Sequence, residues 1–359
     1  MYITDIGGTD TRFIALFYIK AYDTDSSLGW IYAIFQFFEI IFILLSGLLN
    51  MYTVYMALHS NTFHLNITLI YGIYMLHWFE LITSRILVFP YQEALLPIAA
   101  SPQKSDSLIV YSFDESVTII TSFQKAFFLL LGAGLRVRYM LLVCFALPCV
   151  AVERCCATWL IRDYEQKSRA YISVTLVFMS EVLATVGAYT VTYQIVSVFW
   201  LAITAAVLQI VSYIVVQYIK QRTKYFQQKC ERSVDFYSLS VKFQITENVQ
   251  SCKVVHILVI EVGIMIMTTA ITILLADLNL ISSDRTVFVF FIMEKLIHIN
   301  PIFICTAVFC VKPHWFKRLL RLIPGRIGHR THALEYAVDH PEHRCSQADV
   351  HFEQLRKLW

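Results

Sequence analysis

The sequence predicts an all-α membrane protein: a seven-transmembrane helix bundle, N-terminus outside, C-terminus inside, with a short amphipathic helix after the last span. Three observations predict it. Hydrophobic residues make up 57% of the 359 and charged residues 15%, against roughly 45–50% and about 25% in soluble domains. A soluble core cannot absorb that excess. The apolar residues also gather into seven runs, at about 30–56, 67–89, 122–152, 171–191, 194–219, 254–276 and 286–311, and about 20 residues suffice to cross a bilayer. Finally, the basic residues are sided.

Residues 1–29 read as an extracellular segment. They hold no basic region followed by an apolar stretch, so the first span is expected to act as an uncleaved anchor. Spans four and five look like one run interrupted only by Glu181. At about 1.5 Å per residue that run would reach well over twice a ~30 Å hydrocarbon core, so it must fold back. The polar cluster Thr190, Thr192 and Gln194 is the expected turn. The outer loop 90–121 opens with two breakers, Pro97 and Pro102, and reads equally as a cap over the outer mouth or as mobile filler. Residues 242–253 can lengthen span six toward the inner side. After residue 311 comes the cytoplasmic segment 312–359. Its first turns place Trp315, Phe316, Leu319, Leu320 and Ile323 on one face among Lys317, Arg318 and Arg321, a helix suited to lie in the lipid headgroups.

Of the 29 Lys and Arg residues, twenty fall on one side: four in 153–170, seven in 219–253 and nine in 312–359. Four (Arg12, Lys20, Lys104, Arg285) fall on the other. Positive charge marks the cytoplasmic face, which puts the N-terminus outside. All nine cysteines lie within spans or on the inner side, where thiols stay reduced, so no structural disulfide is expected. The sequon Asn66-Ile67-Thr68 falls at the inner mouth of span two, out of reach of glycosylation.

Ionisable groups inside spans cost roughly 2.5–3.5 kcal/mol each at mid-membrane, so each needs a reason. The chain holds Glu39, Glu80, Arg85, Arg136, Arg138, Glu181, Glu261, Glu294 and Lys295 there. Glu80, Arg85, Arg136, Arg138, Glu261, Glu294 and Lys295 are candidate ligand contacts lining a cavity open outward. The competing expectation is a set of interhelical salt bridges. Arg136 and Arg138 point about 200° apart on a helix, so both cannot face one cavity centre.

At the inner end, the third run stops at Glu153-Arg154. Glu153 can pair with Arg154 or with a neighbouring span, and a released Arg154 can extend to a partner's backbone carbonyls. Low in span seven, Asn300-Pro301 provides a hinge, because proline frees a carbonyl and asparagine can bond freed backbone. Glu153, Arg154, Asn300 and Pro301 are therefore the candidate activation switch. Asn50, low in span one, adds a polar contact nearby. No HExxH, GxSxG or P-loop pattern occurs. His77, His256 and His298 lie on different spans, so no catalytic or metal site and no cofactor is expected.

Seven spans, an outer N-terminus, Glu-Arg after span three and Asn-Pro in span seven together resemble a G-protein-coupled receptor. Glu153-Arg154-Cys155 is similar to that family's Asp/Glu-Arg-Tyr, with cysteine in place of tyrosine. Asn300-Pro301-Ile302-Phe303-Ile304 is similar to Asn-Pro-x-x-Tyr, with isoleucine in place of tyrosine. The cysteines of that family's outer disulfide do not occur here. A closer resemblance is to the nematode chemoreceptors of serpentine receptor class epsilon. Its residues are Ala151-Val152-Glu153-Arg154 through Ala157-Thr158 to Asp163-Tyr164-Glu165. Tyr237-Ser238-Leu239-Ser240, Lys242-Phe243-Gln244, Glu247-Asn248, and Glu80-Leu81-Ile82 with Arg85 belong to it as well.

The resemblance implies a chemosensory receptor, not an enzyme, in the plasma membrane of sensory-neuron cilia. Its implied partners are a small-molecule ligand and a heterotrimeric G protein, alongside membrane lipid and no nucleic acid. The other function class compatible with the residues is a transporter or ion channel using the buried charges as a pathway. The absence of an apparent repeat argues against paired transporter halves.

Overall fold

The computed structural model describes residues 2–5, 14–15, 29–59, 65–92, 95–96, 117–120, 123–160, 169–232, 239–278, 280 and 283–322. Pro97, Pro102 and the tail from Ile323 onward lie outside the described residues. Seven helices are long and apolar enough to cross a membrane: α1 (Gly29–His59), α2 (Leu65–Gln92), α3 (Phe123–Trp159), α4 (Ala170–Thr192), α5 (Val198–Arg232), α6 (Leu239–Asp277) and α7 (Ser283–Val311). Hydrocarbon offers no partner to a backbone N–H or C=O, so each span must satisfy its own backbone as a helix. The chain is thus an all-α membrane protein with a seven-helix bundle. Inside α6 is the 242–253 segment expected to lengthen span six.

Helix α3 is the hub, packing against α2, α4, α5 and α6, while α1 packs on α7 and α2. Two apolar clusters stack along it. One joins Val137, Leu141 and Leu142 to Ala184 and Ala188 of α4, Ala202 of α5 and Ala270 of α6. The other, nearer the inner end, joins Leu147 and Ala151 to Val216 of α5 and Val259 of α6. Small residues allow this closeness. A Cβ added at Gly132 would stand 2.7 Å from Val88 of α2, and the Ser84 hydroxyl donates to the Gly132 carbonyl at 2.6 Å. Away from these seams the helices expose apolar stripes, such as Phe37, Ile40, Leu44, Leu48 and Met51 on α1, and Tyr171, Val174, Phe178, Val182 and Val186 on α4. Spacing of three and four residues keeps each stripe on one face, turned to lipid.

Proline shapes α3. Pro148 has no N–H for the carbonyl of Cys144 four residues earlier, and Gln209 of α5 supplies the missing donor at 3.0 Å. Between α4 and α5 the chain reverses in a tight turn. Gln194 adopts φ 58° there, and the Thr190 carbonyl accepts the Ile195 N–H at 2.8 Å.

A small sheet accompanies the bundle. β1 (Tyr2–Asp5) pairs antiparallel with β2 (Ile14–Ala15) and parallel with β3 (Val117–Ile120), in the order β2-β1-β3. Periodicity did not signal it. It ties the N-terminal segment to the α2–α3 loop, which requires both to lie on the same side of the membrane.

The segment from Pro313 onward forms a separate compact unit. Its described part is α8 (Pro313–Leu322), whose Lys317, Arg318 and Arg321 are exposed.

Candidate functional site

All the span charges but Glu261 settle into two clusters. In the first, Glu39 of α1 takes Arg85 of α2 at 3.1 Å and Lys295 of α7 at 2.7 Å on one oxygen. His298 lies 2.8 Å from the other oxygen. Arg85 also donates to Gln92, whose amide reaches Glu294 at 3.3 Å. Arg136 of α3 pairs with Glu294 at 2.7 Å. Glu39, Arg85, Arg136, Glu294 and Lys295 are each no more than 8% exposed. Charges this deep persist only when paired and hydrogen-bonded, because desolvation of each ion costs several kcal/mol.

The second cluster is less enclosed. Arg138 of α3 bridges Glu80 of α2 and Glu181 of α4 and donates to Thr185 at 3.1 Å. His77 sits between the same carboxylates, its Nδ1 3.1 Å from Glu80 and its Nε2 2.5 Å from Glu181. The two arginines two residues apart thus turn to different neighbours, as the ~200° between them requires. Glu261 makes no ion pair with a described residue.

A cavity of about 70 Å³ opens between α3, α5, α6 and α7, with Val137, Met140, Leu141, Ala202, Met265 and Ala270 in its wall. None of the seven charged candidates lines it. Residue type drew attention to the charges, whereas the space belongs to apolar side chains that periodicity alone assigns to core.

At the inner end of α3, Arg154 grips its neighbour Glu153 with Nε at 2.6 Å and a terminal nitrogen at 2.7 Å. Its other terminal nitrogen donates to the Asn248 side chain of α6 at 3.0 Å. Glu153 and Arg154 are 0% and 2% exposed. The Thr158 hydroxyl caps the arrangement by donating to the Arg154 carbonyl at 2.8 Å. Asn50, the other inner polar residue, donates to the Met75 carbonyl at 2.7 Å and so links α1 to α2.

On α7, Pro301 leaves the Ile297 carbonyl without its helical donor. At the next residue the Trp78 indole donates to the His298 carbonyl at 2.8 Å. Asn300 is buried and its side chain lies beside the Tyr139 hydroxyl of α3. Sequence reasoning missed Tyr139, Trp78 and Gln92 as site residues. It also saw Asn248 only within a resemblance. Trp78 and Tyr139 are bulky residues of a kind that fills any core, so only the proline beside them could have flagged a polar role. Among the described residues no group of three or more His, Cys, Asp or Glu is placed to hold a metal ion.

Comparison with known proteins places this arrangement. The Sre G protein-coupled chemoreceptor family matches residues 3–359. Serpentine receptor class epsilon-38 of Caenorhabditis elegans is 27% identical over 89% of this chain and 90% of its own length. Serpentine receptor class epsilon-37 of the same organism is 24% identical over 100% and 99%. Serpentine receptor class epsilon-21, also from C. elegans, is 24% identical over 93% and 90%. No solved structure matches the chain. A membrane bundle with an arginine latched at the inner end of its third helix, matched along nearly its whole length, belongs to the Sre family of G protein-coupled chemoreceptors.

Proposed function

We propose that the chain is a plasma-membrane chemosensory receptor, placed in the cilia of sensory neurons. It binds a small molecule in the outer half of the bundle and activates a heterotrimeric G protein at the inner face. Glu153 and Arg154 form the latch, and Asn300-Pro301 the hinge that releases it. One observation carries this reading: Arg154 is buried and held between Glu153 and Asn248, which joins the inner ends of α3 and α6. A ligand that favours the state with this contact broken shifts the population toward an open inner face. The paired state of the charges in both clusters supports packing and orientation over an ion or substrate pathway. Glu80, Arg85, Arg136, Arg138, Glu294 and Lys295 therefore shape the ligand site by holding its helices.

The test is a small-molecule screen in cells reporting calcium or cAMP, with Arg154→Ala as the control. Arg154→Ala is expected to abolish the response while surface expression is retained. A response equal to that of the unmodified receptor would refute the latch. Epitope tags on both termini test the orientation, and an inside N-terminus would sink the receptor reading.

A further inference from the structure

The cavity between α3, α5, α6 and α7 differs in chemistry from the charge clusters beside it. Its wall is apolar, built of branched aliphatic side chains, alanines and the two methionines Met140 and Met265. Its polar atoms are few. Thr269 has already committed its hydroxyl proton to the Met265 carbonyl at 2.9 Å, which leaves it an acceptor. The Tyr139 hydroxyl lies beside the Asn300 side chain. A carboxylate or ammonium entering such a wall would lose its hydration without gaining a counter-ion. An apolar molecule loses nothing and displaces no well-held water.

Size constrains the occupant too. About 70 Å³ is near half the ~150 Å³ that accommodates benzene, so the space as it stands suits on the order of three to four non-hydrogen atoms. Methionine is unbranched and adapts its shape, so Met140 and Met265 can admit a somewhat longer chain.

Two wall residues lead to the hinge. Tyr139 lines the cavity, and its hydroxyl lies beside the Asn300 side chain. Ile297 also lines it, and its carbonyl is the one that Pro301 deprives of a donor. A molecule seated here touches α7 at the turn where its backbone is least constrained.

The geometry points to a ligand class and a relay: the cavity takes a small, neutral, largely apolar molecule with at most one hydrogen-bonding group, and Tyr139 carries its presence to Asn300. This rests on the receptor reading above and specifies the ligand for it. The two charge clusters are then scaffolding, and the receptor selects against ionised ligands.

The test uses the full chain in lipid nanodiscs, probed with straight-chain alcohols of three to six carbons and with butanoate. Binding is read as a saturable rise in thermal unfolding midpoint, and signalling as G-protein activation. The alcohols are expected to bind and butanoate not to. Ala270→Phe fills the cavity and is expected to abolish alcohol binding. If that variant fails to fold, Ala270→Val is expected to weaken binding about tenfold. At saturating alcohol, Tyr139→Phe is expected to lower G-protein activation at least tenfold. Absence of alcohol binding, butanoate binding lost on Arg136→Gln, or alcohol binding unaltered in both Ala270 variants would overturn the ligand class. Undiminished signalling by Tyr139→Phe would overturn the relay. Binding as expected with no G-protein response from the unmodified chain would leave the site standing and fell the coupling reading instead.

Discussion

Arg154 and Asn248, 94 residues apart in the chain, meet at 3.0 Å and tie the inner end of α3 to α6. The contact is a hydrogen bond to a charged group, of the kind that contributes about 1.5–3 kcal/mol. Asn248→Ala removes it without touching the Glu153–Arg154 pair. Ligand-independent signalling, normalised to surface expression, is expected to rise on the order of tenfold. Unchanged basal signalling would show that the contact only packs the helices.

Gln209 and Pro148 act as a pair through a third group, the Cys144 carbonyl. Gln209→Leu leaves that carbonyl buried without its donor, at a cost of about 1–3 kcal/mol. Pro148→Ala restores a backbone N–H four residues on, so the Gln209→Leu penalty should largely vanish in that background. Unfolding of the two single variants and the double variant in detergent checks this. Additive effects would mean the side chain stabilises by another route.

Glu39 holds three partners on α2 and α7. Neutralising it as Glu39→Gln leaves Arg85 and Lys295 buried without their shared carboxylate, at about 3–5 kcal/mol. Adding Lys295→Met should recover part of that loss by removing one of the stranded charges. Surface expression together with detergent unfolding reads the outcome, and a double variant worse than Glu39→Gln alone would contradict the shared-carboxylate account.

Gly132 and Gly134 make a paired test of packing. A side chain at Gly132 meets Val88 and the Ser84 backbone, whereas one at Gly134 meets nothing within 4 Å. Gly132→Ala is expected to cost about 1–3 kcal/mol. Gly134→Ala should be neutral or stabilising by up to about 1 kcal/mol, since alanine is the better helix former. Equal behaviour of the two would mean α2 and α3 can separate at no cost.

Parts of the site were legible in one dimension. The ~200° between Arg136 and Arg138 already required them to face different neighbours; the bundle sends Arg136 to Glu294 of α7 and Arg138 to α2 and α4. The Glu153–Arg154 pair was visible because an acid and an arginine end a long apolar run. The cavity was not, because Ala202 and Ala270 read as ordinary core until α5 and α6 are placed against α3. The β1–β3 pairing was invisible for a related reason: its partners stand more than a hundred residues apart and its strands are too short to show a period.

By itself, then, the sequence determined the number of spans, their sidedness and the positions of the Glu153-Arg154 pair and of Asn300-Pro301. Each is a local consequence of what hydrocarbon excludes: unsatisfied backbone, unpaired charge and basic loops on the outer face. Only the tertiary structure decided which charges neutralise one another, which residues surround open space, and that Tyr139 lies between that space and Asn300. Those depend on how far each helix is rotated and which neighbour it meets. Close seams such as Gly132 against Ser84 and Val88 set that rotation, and periodicity along one helix carries no information about the surface of another.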